Sequence, residues 1–248
     1  LTRGLNGKDL VEMGMLSEFG ALGFTDALHA VADAQVMRRA LYYARTFDLL
    51  IVQHPEEPAL AAGGAMNNGE LATRIGLPGI PPCAEVMMIE RDLHLVRMSG
   101  ARYHVAHVST AAAVEAIRKA KLEGLRVTCD TAPPYFSLNE NEIGDYRTFA
   151  KLSPPLRNES DRRAVAAAVA APTPSPAVAP PAVGGPAAKP STRGWTLFMK
   201  ADEESAAAVT SAVVAAAVRS RSVRVADPGA GWNIGVSFGS VIGSSPPS

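Results

Sequence analysis

Cysteine, net charge and long apolar runs are what this sequence lacks. Its only cysteines, Cys83 and Cys129, lie far apart and in no metal or redox spacing. That excludes a disulfide framework and a cysteine-built zinc knuckle, and suits a reducing compartment. Lys+Arg and Asp+Glu stand at 24 each, leaving no formal net charge. Nucleic acid and acidic membrane surfaces both select a basic face, so neither is an expected partner. The longest apolar run, Ala206 to Val218, is mostly alanine, is broken by Thr210 and Ser211, and is too short to cross a bilayer. No basic-then-apolar leader is visible, and a cytoplasmic location is expected. The first residue is Leu1, so a missing N-terminal portion is expected too.

What is present, up to Arg163, is an alternation of short apolar strands and amphipathic helices. ALGFT, Ala21 to Thr25, leads into a helix over Ala34 to Thr46, with Val36, Ala40 and Tyr43 at helical spacing. LLIVQH is the next strand. After a Gly-rich loop, Gly69 to Ile75 and Pro82 to Met98 read as helices, the second opened by a proline and stopped by Gly100. YHVAHV is a strand, Thr110 a helix N-cap, Ala111 to Leu122 a helix, and LRVTCDT a further strand. Repeated strand–helix units predict a parallel α/β sheet or barrel. Two of these strands finish on a histidine, His54 in LLIVQHPEEP and His107 in ARYHVAHVST. In a (β/α) barrel such strand ends line the active face.

After Arg163 this grammar stops. From Ala164 to Pro190 there is no Leu, Ile, Phe or Met, and Lys189 is the only charge. Residues 164–248 are therefore expected to be an Ala/Pro/Gly-rich tail, either disordered or a frame-shifted reading of a GC-rich gene. All five histidines precede it, so the tail supplies no histidine ligand.

The motifs of the first part resemble dihydroorotases, the cyclic amidohydrolases of pyrimidine biosynthesis. The matching pieces are FTD at Phe24 to Asp26, QHPEEP at Gln53 to Pro58, AMNNGELATRIGLPGIP at Ala65 to Pro81, HVAHVST at His104 to Thr110 and KLSPPLR at Lys151 to Arg157. The resemblance implies that residues 1–163 are the central strands of a TIM-like barrel. It also implies a zinc-dependent hydrolase interconverting N-carbamoyl-aspartate and dihydroorotate, with zinc activating a water. Hydantoin- and allantoin-cleaving amidohydrolases are a sister reading of lower rank. By position, His54 and His107 fall on two metal-ligand histidines, and imidazole suits zinc. Ser153 stands where the family has asparagine before Pro-Pro-Leu-Arg and is the carried-over substrate-binding candidate.

Several family positions are replaced. Ala27 stands for a ligand aspartate, Pro133-Pro134-Tyr135 for Pro-His-His, and neither the opening His-x-His nor the late Asp-His motif has a counterpart. A catalytic zinc takes three protein ligands, so weak or absent zinc binding and impaired catalysis are expected. The alternative is a non-catalytic scaffold for a partner such as aspartate carbamoyltransferase. Of the remaining residues, His104 is expected to be a satisfied core or surface histidine, and His29 and His94 surface residues. Glu56 and Glu57 are expected in a solvated loop, Met87 and Met88 in the core, and Arg157 in a structural pairing. Asp26 has no legible partner. AGGAMNNGE reads as a mobile active-site loop and lacks the lysine of a phosphate-binding loop.

Overall fold

In the computed structural model, residues 1–171 are described, and they form one compact unit, Leu1–Ala171. The six strands are β1 (Gly23–Phe24), β2 (Leu50–Gln53), β3 (Met66–Asn67), β4 (Gly79–Ile80), β5 (Arg102–Val105) and β6 (Val127–Cys129). The helices are α1 (Met13–Glu18), α2 (Ala34–Thr46), α3 (Pro58–Ala61), α4 (Glu70–Ile75), α5 (Cys83–Ser99), α6 (Ala111–Leu122), α7 (Pro133–Ser137) and α8 (Glu159–Ala170). No helix of the described residues is long and apolar enough to cross a membrane.

The main sheet has four strands in the order β1-β2-β5-β6, every pair parallel. Strand order follows chain order, and α2, α5 and α6 pack against their neighbours in that same order. A doubly wound sheet would reverse its order and carry helices on both faces; this one adds strands in a single direction, as an arc of a barrel does. Ile51, Tyr103, Val105 and Val127 are buried in one cluster with Val36, Met37, Leu41, Ile89, Leu93 and Ile117. Each such full burial is worth about 1.5–3 kcal/mol. Between them along the strands, Val52 and His104 are half-buried and Thr128 is exposed.

Local chemistry sets the helix ends. Asp33 caps α2 by accepting from the Gln35 and Val36 amides at 2.7 and 3.0 Å. The helix buries Val36, Met37, Ala40, Leu41 and Ala44 along one stripe. Gly100 ends α5 with a φ of 66°, a left-handed turn that glycine makes without penalty. Thr110 caps α6 through the Ala113 amide at 3.2 Å, and Asp161 of α8 adds a bond from the Ala111 amide at 2.8 Å.

A second, smaller core gathers Met66, Ala72, Tyr135, Ile143, Leu156 and Val165 beside the β3–β4 pair. Here the structure corrects several expectations. AGGAMNNGE is partly strand: Met66 and Asn67 are buried and paired with β4. The strand expected over YHVAHV stops at Val105, because His107 turns to a φ of 58°. The boundary expected after Arg163 falls inside α8, whose Val165 packs into the second core. Met88 is buried as expected, but Met87 is 55% exposed. The composition-based expectation for residues 164–248 lies, from residue 172 on, outside the described residues.

Candidate functional site at the strand ends

Parallel register brings the C-terminal ends of β1, β2, β5 and β6 to one end of the sheet. The residues that follow them are Asp26, His54, His107 and Asp130. His54 is buried, and its ring centroid lies 5.9 Å from that of His107. The sequence reading thus named two side chains that the fold does bring together.

His54 Nε2 lies 3.1 Å from Ser153 Oγ, and the Ser153 hydroxyl donates to Glu56 Oε2 at 3.0 Å. Ser153, expected as a substrate contact, is therefore the link between this histidine and a carboxylate. Glu56 is not in a solvated loop. Its side chain is mostly buried; burial opposes its ionisation, but the His54 ring 3.8 Å away and the hydrogen bond from Ser153 outweigh that and hold its pKa below the ordinary value. Glu57 instead caps α3 by accepting from the Ala59 amide at 3.3 Å. Two atoms of this group, His54 Nδ1 and Glu56 Oε1, are buried with no hydrogen-bond partner.

On the other side stands Asp130, which sequence reading missed. Its Oδ1 accepts from the His107 amide at 2.6 Å and lies 3.4 Å from His107 Nδ1; its Oδ2 is 3.1 Å from His104 Nε2. Burial opposes ionisation here as well, but the bonds from His104 and His107 prevail and depress the carboxyl pKa strongly. His104 is a satisfied, half-buried histidine, as expected: Asp130 and Thr128 hold it between them. The signal was available, since Asp130 directly follows a strand, the same criterion that picked out His54 and His107.

Asp26 is buried, and its partners are the backbone amide of Thr2 at 2.6 Å and the Thr2 hydroxyl. Beneath the site, Arg157 makes the structural pairing expected of it. It is buried 3.5 Å from Glu85 and donates to Ser109 Oγ, Asn67 Oδ1 and the Ile80 carbonyl. Burial raises the Glu85 pKa despite that guanidinium. His29 and His94 are exposed, as expected.

The comparisons with known proteins bear on this arrangement. The dihydro-orotase-like family model matches residues 1–113. A dihydroorotase of Syntrophotalea carbinolica is 50% identical over 165 residues, 66% of this chain and 39% of the relative. One of Desulfotalea psychrophila is 46% identical over 170 residues, 68% of this chain and 40% of the relative. The matched segment is dihydroorotase-like. Among solved structures, D-hydantoinase from Bacillus sp. AR9 superposes with a TM-score of 0.52 at 23% identity, covering 63% of this chain and 36% of that one. L-hydantoinase (dihydropyrimidinase) from Arthrobacter aurescens gives 0.51 at 25% identity, covering 62% and 36%. The dihydroorotase-like segment has the fold of part of a TIM-like barrel, and the chain spans about two-fifths of the curated relatives it matches.

The zinc that the dihydroorotase likeness implies is not matched by the donors among the described residues. No three His, Cys, Asp or Glu side chains among the described residues come together as a cation-holding group. At the position expected for a family histidine, Tyr135 is buried and donates to the Pro154 carbonyl at 3.0 Å. Ala27 brings no donor atom beyond its backbone. His54 and His107 alone fall short of the three protein ligands of a catalytic zinc.

Proposed function

We propose that this chain is a dihydroorotase-derived cyclic amidohydrolase of pyrimidine biosynthesis, located in the cytoplasm, whose hydrolytic site is impaired. The substrate class is the cyclic amide dihydroorotate and its opened form, N-carbamoyl-aspartate. The carrying observation is a strand-end pair of imidazoles, His54 and His107, on a dihydroorotase-like scaffold with no group of three donors able to hold a cation among the described residues. Such a pair retains the position of the chemistry. It lacks the ligand number that lowers a bound water's pKa to near neutrality.

The test uses the purified full chain after zinc repletion. Zinc per chain is measured by elemental analysis, and formation of N-carbamoyl-aspartate from dihydroorotate is followed beside a protein-free control. The expected result is less than one zinc per chain and no ring opening above the control. One or more tightly held zinc ions with turnover, both lost in His54→Ala and His107→Ala, overturns the impairment.

A second reading is a non-catalytic scaffold for a pathway partner such as aspartate carbamoyltransferase. What favours it is Tyr135, which now braces the Ser153–Pro154 segment from a buried position. Co-elution of this chain with purified aspartate carbamoyltransferase supports it, and separate elution at micromolar concentrations excludes it.

A further inference from the structure

Two asparagines in this chain stand before glycine, Asn6 and Asn68. Asparagine is among the thermolabile residues. It is most labile before glycine, whose missing Cβ leaves the following amide nitrogen open to attack the carboxamide. Both asparagines are exposed, so composition and accessibility give the two sites equal standing. Hydrogen bonding separates them.

At Asn6 both reacting groups are engaged. The Gly7 amide donates to Thr2 Oγ1 at 2.9 Å, and Asn6 Oδ1 accepts from the Lys8 amide at 2.9 Å. Thr2 is itself buried and tied to Asp26. Attack by the Gly7 nitrogen requires these bonds to open first. At Asn68 the attacking group is free: the Gly69 amide has no hydrogen-bond acceptor among the described residues. Its surroundings are nevertheless fixed. The Asn68 amide donates to the Ile80 carbonyl at 3.0 Å, and the Gly69 carbonyl accepts from the Thr73 amide and hydroxyl, both at 3.2 Å. The unengaged nitrogen thus lies between two anchored points, next to the carboxamide it attacks.

We propose that Asn68 is a self-modification site, converting to aspartate and isoaspartate with water as the co-reactant. The Gly69 nitrogen gives its proton to solvent base and bonds to Asn68 Cγ. The Cγ–Nδ2 bond breaks, and the amide nitrogen takes up a proton and leaves as ammonia. Water then opens the cyclic imide. Cleavage between Cγ and the Gly69 nitrogen gives aspartate, and cleavage between the main-chain carbonyl carbon and that nitrogen gives isoaspartate. No electron donor or acceptor is needed. Isoaspartate lengthens the main chain by one carbon between β3 and α4. Either product sets a carboxylate beside Asn67, which accepts from Arg157 and donates to Glu140. The second core is the part that loosens as the protein ages.

The test is mass spectrometry of tryptic peptides from the full-length protein aged in mildly alkaline buffer at physiological temperature. The fragmentation used distinguishes isoaspartate from aspartate. Conversion at Asn68 is expected to be several-fold faster than at Asn6 in the folded protein, and the two rates are expected to converge in urea. The aged protein is expected to melt below the fresh one. Gly69→Ala is expected to suppress most of the conversion at Asn68; the added Cβ fits, its nearest neighbour being Asn67 Nδ2 at 3.9 Å. Conversion at Asn6 as fast as at Asn68 in the folded protein overturns the proposal, and so does an Asn68 that stays intact when folded but reacts in urea. These rates involve neither zinc nor turnover, so failure here is distinct from failure of the proposed activity.

Discussion

Tyr103 is wholly buried on β5, and its hydroxyl donates at 2.7 Å to Asp92, an equally buried carboxylate on α5. Arg91 supplies the other partner, 2.7 Å from Asp92 Oδ1. Burial raises the Asp92 pKa, while Arg91 and Tyr103 pull it partway back. A carboxylate with a raised native pKa keeps its proton longer when folded. Its contribution is full below the unfolded value, about 3.9, and is lost as pH rises through the native one. Tyr103→Phe removes a donor from the ionised form and raises the native value further. The variant is expected to lose about 1–3 kcal/mol near neutrality and visibly less near pH 4, as measured by urea melts at both pH values. A deficit independent of pH would assign the loss to packing. At this scale the sequence disclosed His54 and His107, because a strand-end histidine stands out. It hid Asp92 and Glu85, whose positions on α5 are the ones an amphipathic pattern reserves for apolar side chains.

Elements differ in how firmly their borders are written. α2 and α6 run over the spans read from sequence, since an N-cap and a helical period mark both. The pair β3–β4 was not legible, because two-residue strands are too short to show a period of two. That pair depends on Gly79, where a Cβ would lie 2.4 Å from Asn68 Cα. Backbone cannot swing aside as a side chain does, so Gly79→Ala is expected to split the pair and lower the melting temperature sharply. Thr110→Ala, which removes one cap from α6, is expected to cost only about 1 kcal/mol, the Asp161 bond to the Ala111 amide remaining in place. Thermal melts of the two variants side by side check the order, and an equal loss would contradict it.

For the molecule as a whole, the decisive residue is Arg157. It lies between the two cores and reaches α5 through Glu85, the loop before α6 through Ser109, β3 through Asn67 and β4 through the Ile80 carbonyl. Removing one partner of a buried ion pair leaves an uncompensated charge, which costs about 3–5 kcal/mol. Arg157→Ala is expected to fall in that range in urea unfolding, with the second core loosening first by hydrogen exchange. Adding Glu85→Gln is expected to restore part of the loss, since the stranded charge is then gone; no recovery would mean that the guanidinium acts through packing. The overall architecture was readable from the repeated strand–helix grammar. The Arg157 junction was not, because its partners come from four places distant in sequence.

The main sheet has two unlike faces, and this divides the labour of evolution between them. Ile51, Tyr103 and Val127 are committed to the helix layer, where a change of one methylene is felt. Val52, His104 and Thr128 sit side by side in register on the other face and are half-buried or exposed. Robustness is stored on one side and novelty is available on the other, so this scaffold can lose one chemistry or acquire another while the layer that keeps it folded stays unchanged.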